Sequence, residues 1–464
     1  MRDGREATVN SAEDATSNLF ARAASRLGNR SEDSGTADVS HLLEALDYAI
    51  VTEFPSQGRT SNPETRHRAL LLNAASRFVR VFQLAAPDAP GLVAFGAEFD
   101  PAIADPLHAG SPLAGVSGVG LTLQEAFQGC IGEGLEYLSQ LQTGSDVLLS
   151  SGGDPVAEFG PQARAFLDAF SAHRLRPDAE LSWYPARRLV DGTEALLPAD
   201  LCLRRPPDRR EIEPPFPLSN GSAAGTSWDA AALHGMLELI ERDAASLWWR
   251  GGNRGGLIPP QHEAHVMAAA LLPRLRQDAT RRRNWLLDIT TDIGVPCVAA
   301  VSCGANGFGF AFGLAARPTL KSAARSAILE MCQLELALAV VEAKRRESGE
   351  AALNARDRGH LRRATMIDAD RCPLLQPVPE RKHHLAIEAA DPGAALQFIA
   401  NRLGQFGIET FGLNLTRPQL AVPVARVIAP GLQPEPSEII TPRLADMITQ
   451  TGGGMQYTGG VALI

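Results

Sequence analysis

The stretch SNGSAAGTSWDAAALHGMLELIERDA, Ser219–Ala244, decides how this chain is interpreted. It begins with a turn of small residues that ends at Gly225, and it continues as an amphipathic helix that carries Glu238, Glu241 and Arg242. Side chains three positions apart lie on one face of a helix. Two carboxylates there repel each other and one takes up a proton, unless a divalent cation or an arginine lies beside them. A small-residue turn that opens onto a helix N-terminus also favours anions. The stretch therefore predicts a nucleotide held through a metal ion.

Two further predicted helices repeat this spacing. Glu133 and Glu136 lie beside an apolar stripe on one of them, and Glu330 and Gln333 lie beside a similar stripe on the other. A single pair of acidic residues at this spacing usually belongs to a solvated helix face, and we expect only about one such pair in ten to be functional. The apolar context raises that fraction, because partly buried carboxylates need partners. Oxygen ligands of this type suit Mg²⁺, which prefers carboxylates, waters and substrate phosphates.

Composition and charge limit the class of function. The chain has 464 residues, of which 45% are hydrophobic and 21% charged, as in globular proteins with a large core. Its net charge of −9 disfavours nucleic acid and anionic membrane as partners. Lysine occurs only at Lys321, Lys344 and Lys382, and neither a P-loop nor a kinase-type lysine with a glycine loop is present. Any phosphate must therefore be bound by arginine, backbone N–H groups and metal.

The cysteines and apolar segments indicate the compartment. The six cysteines form no Cys-x-x-Cys pair, which disfavours a zinc knuckle or a redox motif and is typical of a reducing compartment. No apolar signal segment is visible near the N-terminus, so we expect a cytoplasmic protein. The uncharged stretch 293–316 contains Pro296 and several glycines, and it predicts two buried strands, 295–303 and 307–313, rather than a membrane span. His262 and His265 miss the spacing of a zinc motif by one residue, so we interpret them as a solvated helix end.

Runs of helices and runs of strands, without strict alternation, predict an α+β fold. Residues 1–38 are rich in Ser, Asp, Arg and Gly and are expected to be poorly ordered. The pattern from His41 to Leu84 is helical and predicts an N-terminal helical extension over 39–105. Further along the chain, Asp191-Gly192 predicts a hairpin, the charged segment 349–380 a loop and Pro392–Phe406 a helix.

The chain resembles the YcaO family from about Leu113 to Leu444. Five segments in order carry the resemblance: GVGLTLQEAFQGCIGEGLEYLS (118–139), SNGSAAG with HGMLELIERDA (219–244), WLLDITTDIGVPCVAAVS (285–302), FGLAARPTLKSAARSAILEMCQ (312–333) and VPVARVIAPGLQP (422–434). The resemblance implies a YcaO-type fold with mixed sheets and packed helices, and a catalytic domain over 106–464. It also implies ATP-dependent activation of a peptide backbone amide, with ATP and Mg²⁺ bound through glutamates instead of a P-loop.

The resemblance assigns site residues position by position. It implies that Mg²⁺ is held by Glu133, Glu136, Glu238, Glu241 and Glu330. It places Glu241, Arg242 and Glu330 in the catalytic set. The nucleotide would be bound by Ser219, Gly225, Glu133, Glu136, Glu238, Gln333 and Arg325. Two departures from the family pattern stand out. An arginine common in the family is Ser326 here, with Arg325 one position off, and the chain ends GGVALI where azoline-forming members often carry a proline-rich tail.

The implied reaction modifies a ribosomally synthesised precursor peptide, as in the biosynthesis of thiazole- and oxazole-modified bacteriocins. A Cys, Ser or Thr side chain attacks the preceding carbonyl, ATP phosphorylates the resulting oxygen, and phosphate leaves to give an azoline ring. Thioamide formation with a partner protein and a catalytically degenerate scaffold remain alternatives. A carboxylate-bridged iron protein is less favoured, because none of the three helices carries a Glu-x-x-His pair.

The resemblance also suggests partners. Besides the precursor peptide, they are a leader-binding partner protein, a flavin dehydrogenase and a second copy of the chain in a homodimer. Neither nucleic acid nor membrane is expected among them, because the chain is acidic.

Overall fold

A computed structural model describes residues 63–150, 181–212, 217–279, 282–379 and 384–464. Within these ranges the chain forms three sheets, in which all pairs between named strands are antiparallel, with helices packed against them. This arrangement confirms the predicted α+β class. The expectation for residues 1–38, and the part of the predicted extension before residue 63, lie outside the described residues.

The first sheet joins the N-terminal region to the first acidic helix. Helix α1 (Pro63–Ala75) precedes strands β1 (Arg80–Leu84), β2 (Val93–Phe99) and β3 (Ala114–Gly120), which pair in the order β1-β2-β3. Helix α2 (Leu123–Gln140) packs on β2 and β3. Gly118 of β3 permits this packing, because a Cβ there would lie 2.1 Å from the backbone nitrogen of Cys130. The Thr122 side chain caps α2 by accepting from the Glu125 N–H.

The helical prediction for residues up to Leu84 is wrong at its end, since β1 begins at Arg80. In this strand Val81 is buried while its neighbours are only partly buried, and it lies opposite Ala97 of β2. A five-residue segment with one buried position shows no clear period, so it is indistinguishable from a helix end by sequence alone. The region 63–105 is therefore helical only in part, and the domain boundary at residue 105 remains a prediction.

The second sheet lies in the interior. Strands β8 (Arg283–Asp288), β9 (Cys297–Cys303) and β10 (Ala311–Ala316) pair in the order β10-β9-β8. Every residue of β9 and β10 is buried, which accounts for the uncharged stretch. Alternate β9 residues belong to two different cores. The second strand begins later than the predicted 307–313, because Gly307 and Gly309 have φ values of 83° and 74° and form the preceding turn.

The third sheet contains six strands in the order β4-β5-β11-β12-β7, with β6 paired to β5. Their bounds are Leu149–Ser150 (β4), Ser182–Arg188 (β5), Glu194–Pro198 (β6), Ser222–Ala224 (β7), Phe411–Asn414 (β11) and Val424–Ile428 (β12), and the short helix α3 (Ala199–Cys202) follows β6. The β5–β6 hairpin confirms the prediction from Asp191-Gly192. Helix α4 (Trp228–Trp249) packs on β7 and β12, and the Ser227 side chain caps it by accepting from the Ala230 N–H.

The remaining helices cover the second sheet and the C-terminal region. They are α5 (Glu263–Arg276), α6 (Leu320–Ser348), α7 (Ala355–Met366), α8 (Pro392–Gln405), α9 (Pro442–Thr451) and α10 (Met455–Thr458). Helix α5 begins after His262, whose side chain caps it as expected for a helix end. Helix α8 is confirmed, but α7 lies inside the segment predicted as a loop. There a reciprocal capping box between Asn354 and Asp357 starts a helix whose charged composition hides its period. No helix in the described ranges combines the length and apolar character needed to cross a membrane.

Candidate active site

Three helices bring their acidic faces together because they pack on shared strands. Helix α2 contacts β3 and β7, α4 contacts β7 and β10, and α6 contacts β3 and β10. The charge of Glu238 raises the pKa of Glu133, and the charges of both residues raise the pKa of Glu136. The Glu241 charge in turn raises the pKa of Glu330. The structure thus assembles the five glutamates that the spacing singled out into one cluster, which we call the carboxylate cluster.

Backbone N–H groups fix one oxygen of three of these carboxylates. The Ala224 N–H donates to Glu136 Oε1 (N···O 2.8 Å), the Gly221 N–H to Glu238 Oε2 (3.0 Å) and the Leu314 N–H to Glu330 Oε2 (2.9 Å). The Ser117 N–H also bonds to Glu133. Each anchored carboxylate therefore keeps a second oxygen that can bind a cation. The backbone of a sheet or of the turn sets the position of the carboxylate.

The small-residue turn requires glycine for a steric reason. Gly221 has a φ of 79°, and a Cβ there would lie 2.3 Å from the Val427 carbonyl oxygen. A Cβ at Gly235 on α4 would in turn lie 2.3 Å from the Gly221 carbonyl oxygen. This close approach of turn and helix places the Gly221 N–H within reach of Glu238 on the next turn of α4.

Burial disfavours the negative charges of the cluster, and the nearby arginine offsets them only in part. Burial, the largest cause in each case, raises the pKa of Glu133 to about 7 and those of Glu136 and Glu330 to about 8. Arg242 lies among the carboxylates, but its Nη2 is 3.5 Å from Glu238 Oε1 and 3.8 Å from Glu241 Oε1, so both ion pairs are long. Its Nε–H is buried without a hydrogen-bond partner. One arginine between two carboxylates leaves the cluster able to accept a cation.

Solvent reaches most of the carboxylate cluster. Glu133 is exposed and Glu136, Glu238 and Glu330 are half-buried, whereas Glu241 is only 7% exposed. Surrounding protein nevertheless desolvates Glu133, Glu136, Glu238 and Glu330 strongly enough to raise their pKa. Carboxylates that are accessible and yet desolvated are typical of a ligand-binding site, and here Glu133 is the most exposed of the five and Glu241 the most buried.

The donor set fits Mg²⁺ bound together with a phosphate ligand. Among the described residues, no three acidic, histidine or cysteine side chains are arranged to hold a metal ion by themselves. A structural zinc or di-iron centre would need such a set. Mg²⁺ in contrast is commonly bound by one or two carboxylates, waters and substrate phosphates. The cluster, with oxygen ligands that are close but not gathered into a closed shell, matches the second case.

Two predicted nucleotide ligands have partners of their own. Arg325 forms an ion pair with Glu125 (Nη2···Oε1 2.7 Å), near the start of α2. Gln333 donates from Nε2 to Ser117 Oγ (2.9 Å), next to the backbone N–H that binds Glu133. Gln333 therefore lies beside the carboxylate cluster, whereas the ion pair of Arg325 is directed to α2.

The two predicted residues of the turn have different environments. Ser219 is exposed, and its carbonyl accepts from the Ser222 N–H (3.0 Å). Gly225 is buried and donates its N–H to the Pro423 carbonyl (3.0 Å), and a Cβ there would lie 2.6 Å from the Ala231 nitrogen. Gly225 therefore allows the turn to pack on α4, while Ser219 stays available to a ligand. The binding roles of both residues remain predictions.

Sequence reasoning missed three residues near the cluster. His234 lies one turn before Glu238 on α4, donates a ring N–H to the Ala224 carbonyl, and has its pKa lowered by burial and by Arg317. The charge of Arg317 also acts to lower the pKa of Glu330. Arg426 of β12 is fully buried, its Nε and Nη1 lack partners, and burial lowers its pKa to about 10. The helical spacing could have indicated His234, but nothing in an apolar strand marks Arg426 as a neighbour of Glu238.

The sequence matches a family model described as YcaO cyclodehydratase, ATP- and Mg²⁺-binding, over residues 117–433, which is more than half of the chain. Among curated proteins, the chain is similar to an uncharacterized protein in the tfuA 3′ region of Rhizobium leguminosarum bv. trifolii. The two are 27% identical over 296 residues, which cover 60% of this chain and 68% of that protein.

Solved structures show the same fold. A heterocyclase in complex with substrate and cofactor is 22% identical with a TM-score of 0.64, over 86% of this chain and 56% of that one. This chain therefore spans little more than half of that heterocyclase. YcaO from Methanopyrus kandleri, bound with AMPPCP and Mg²⁺, is 19% identical with a TM-score of 0.56, over 80% of this chain and 91% of that one. At these identities the likeness establishes the fold alone.

Proposed function

Because this chain belongs to the YcaO family of ATP- and Mg²⁺-binding cyclodehydratases, we propose that it activates backbone amides in a ribosomally synthesised precursor peptide. The proposed product is an azoline, formed by cyclodehydration of Cys, Ser or Thr. The observation that carries the proposal is the carboxylate cluster, in which three helices contribute five glutamates and backbone N–H groups orient them. The fold shared with a heterocyclase supports it.

The proposed division of labour follows from the geometry. Glu136, Glu238 and Glu330 each present one oxygen that is free of its backbone anchor. These oxygens and those of Glu133 and Glu241 would bind Mg²⁺ with one or two carboxylates per ion, completed by the phosphates of ATP. Arg242 keeps an unpartnered Nε–H that would donate to a phosphate oxygen. When bound, ATP supplies the phosphoryl group that turns the amide oxygen into a leaving group. Catalysis in such a site consists mainly of positioning and of offsetting charge.

Calorimetry of ATP binding tests this proposal directly. Wild type, Glu241→Gln and Glu342→Gln would be titrated with ATP, with and without Mg²⁺. Glu342 is the matched control, because it is exposed on α6, the helix that also carries Glu330. We expect Mg²⁺-dependent binding in wild type and in the control, and binding weakened about tenfold or more in Glu241→Gln, since a charge-assisted contact is lost. Wild type that does not bind ATP would overturn the proposal and favour the scaffold alternative.

Thioamide formation with a partner protein is the second candidate. The observation that favours it is the relative described by its place in the tfuA 3′ region. Mass spectrometry of the modified peptide separates the two. Azoline formation removes one water per ring, whereas thioamide formation replaces an oxygen with sulfur. A leader-binding partner and a flavin dehydrogenase belong to the same proposal, and each would be tested by adding it to the assay.

A further inference from the structure

Helix α7 presents three basic side chains on one face. Arg356, His360 and Arg363 are spaced by four and three residues, which places them in a row. Arg356 acts on Glu133 and lowers its pKa, so this row lies near the carboxylate cluster. The Arg363 guanidinium lies over the ring of Phe312, 5.3 Å from the centroid, on the strand that also anchors Glu330. The row therefore borders the proposed active site.

Arg363 is a buried cation that forms no ion pair with an acidic side chain in the described part of the chain. Arg363 is only 5% exposed, and its Nε–H has no hydrogen-bond partner. Burial, and to a lesser extent the charge of Arg356, lowers the pKa of Arg363 to about 10. A buried charge without a counter-ion is costly. Groups perturbed in this way concentrate at functional sites.

The row offers hydrogen-bond donors and no acceptor. Burial, Arg363 and Arg356 lower the pKa of His360 to about 4, and only Asp357 opposes them. Asp357 itself is bound to Lys344 (Nζ···Oδ2 2.7 Å). Because Arg363 Nη2 lies 3.0 Å from His360 Nδ1 and donates to it, the imidazole proton is assigned to Nε2. The His360 Nε2–H, the orphaned Arg363 Nε–H and the Arg356 guanidinium are therefore donors on one helix face that an anion would accept from.

We propose that Arg356, His360 and Arg363 form a binding site for a phosphate group. A phosphate presents acceptor oxygens in several directions, and guanidinium groups match that geometry. The phosphate would be part of a bound nucleotide or free inorganic phosphate released from it. The identification of the phosphate as part of a nucleotide, or as released from one, rests on the proposed ATP-dependent function. The site itself is inferred from the side chains of α7.

Titration with inorganic phosphate and with ADP, followed by ³¹P NMR on the full chain without Mg²⁺, tests this site. Arg356→Gln is the test variant because the residue is exposed, so the fold should tolerate the change. Arg362→Gln is the matched control on the same helix, since its Nε contacts Met366 Sδ. We expect Arg356→Gln to weaken binding about tenfold, the loss of one charge-assisted contact, and Arg362→Gln to leave it unchanged.

The two probes separate the sources of the phosphate. Weakened binding of inorganic phosphate supports a site for the free ion, and weakened binding of ADP alone supports a site for a nucleotide phosphate. The inference would be overturned if wild type, Arg356→Gln and Arg362→Gln all bound each probe with the same affinity. It would also be overturned if the three residues bound an acidic peptide more tightly than either probe. Wild type that binds phosphate through Arg356 but fails to bind ATP with Mg²⁺ would refute the proposed function and leave this site intact.

Discussion

Binding of Mg²⁺ and ATP is predicted to release protons. In the ligand-free chain, burial raises the pKa of Glu136 and Glu330 to about 8, so at pH 7 each holds a proton about nine-tenths of the time. A carboxylate must lose that proton to bind a cation. If both bind the metal, between one and two protons leave at pH 7, and each costs about 1.4 kcal/mol per pH unit below its pKa. Affinity should therefore rise between pH 6 and 8 and become constant above.

Calorimetry at pH 7 in buffers of different ionisation enthalpy counts these protons. Wild type should release more than one proton per ATP bound, and Glu330→Gln should release about one fewer, because its amide has no proton to lose. Gln333→Glu, one helical turn further along α6, provides a comparison in which a carboxyl is added next to the same site. Affinity that does not change from pH 6 to 8, with no proton released, would refute the assignment of these carboxylates to the metal.

The other predictions concern stability. Because the clustered glutamates hold protons more strongly in the folded than in the unfolded chain, stability without ligand should fall as pH rises from about 4.5 to about 8, which melting curves across that range would show. Gly235→Ala should destabilise the fold by about 1–3 kcal/mol through overpacking, whereas Gly129→Ala, whose Cβ would have no atom closer than 3.8 Å, should have little effect; chemical denaturation compares them. Arg443→Ala removes the partner of fully buried Asp243 and should cost about 3–5 kcal/mol, while loss of the exposed Arg371 pair should cost under about 1 kcal/mol; similar losses from both would contradict this.

Local periodicity was sufficient to find the acidic helices, because side chains three residues apart share a face in any helix. It could not show that Glu136 and Glu238 meet, since that depends on strands β7 and β10, which are distant in sequence from α2. The resemblance supplied that information. Arg426 stayed hidden for a related reason: an inward position on an apolar strand gives no sign of what lies across the sheet.

Two errors of the sequence analysis have a common physical origin. The strand β1 was assigned to a helix and the helix α7 to a loop, and both are short segments whose hydrophobic pattern is weak or ambiguous. In β1 the deciding influence is pairing with β2, and in α7 it is the capping box at Asn354. The error at α7 mattered for function, because it removed the basic row from consideration.

The first sheet shows that the segment matched by the family model and the folding unit of this chain differ. The family match begins at residue 117, in the middle of β3, yet β3 pairs with β2 along seven residues from Ala114 to Gly120. A fragment cut at residue 117 would lose β1 and β2, expose a bare strand edge and uncover the apolar face of α2. It would also shorten the strand whose Ser117 holds Glu133 and Gln333. Expression of this protein in pieces should therefore place its first cut before α1, because the segment outside the family match pairs with β3 and covers the apolar face of α2.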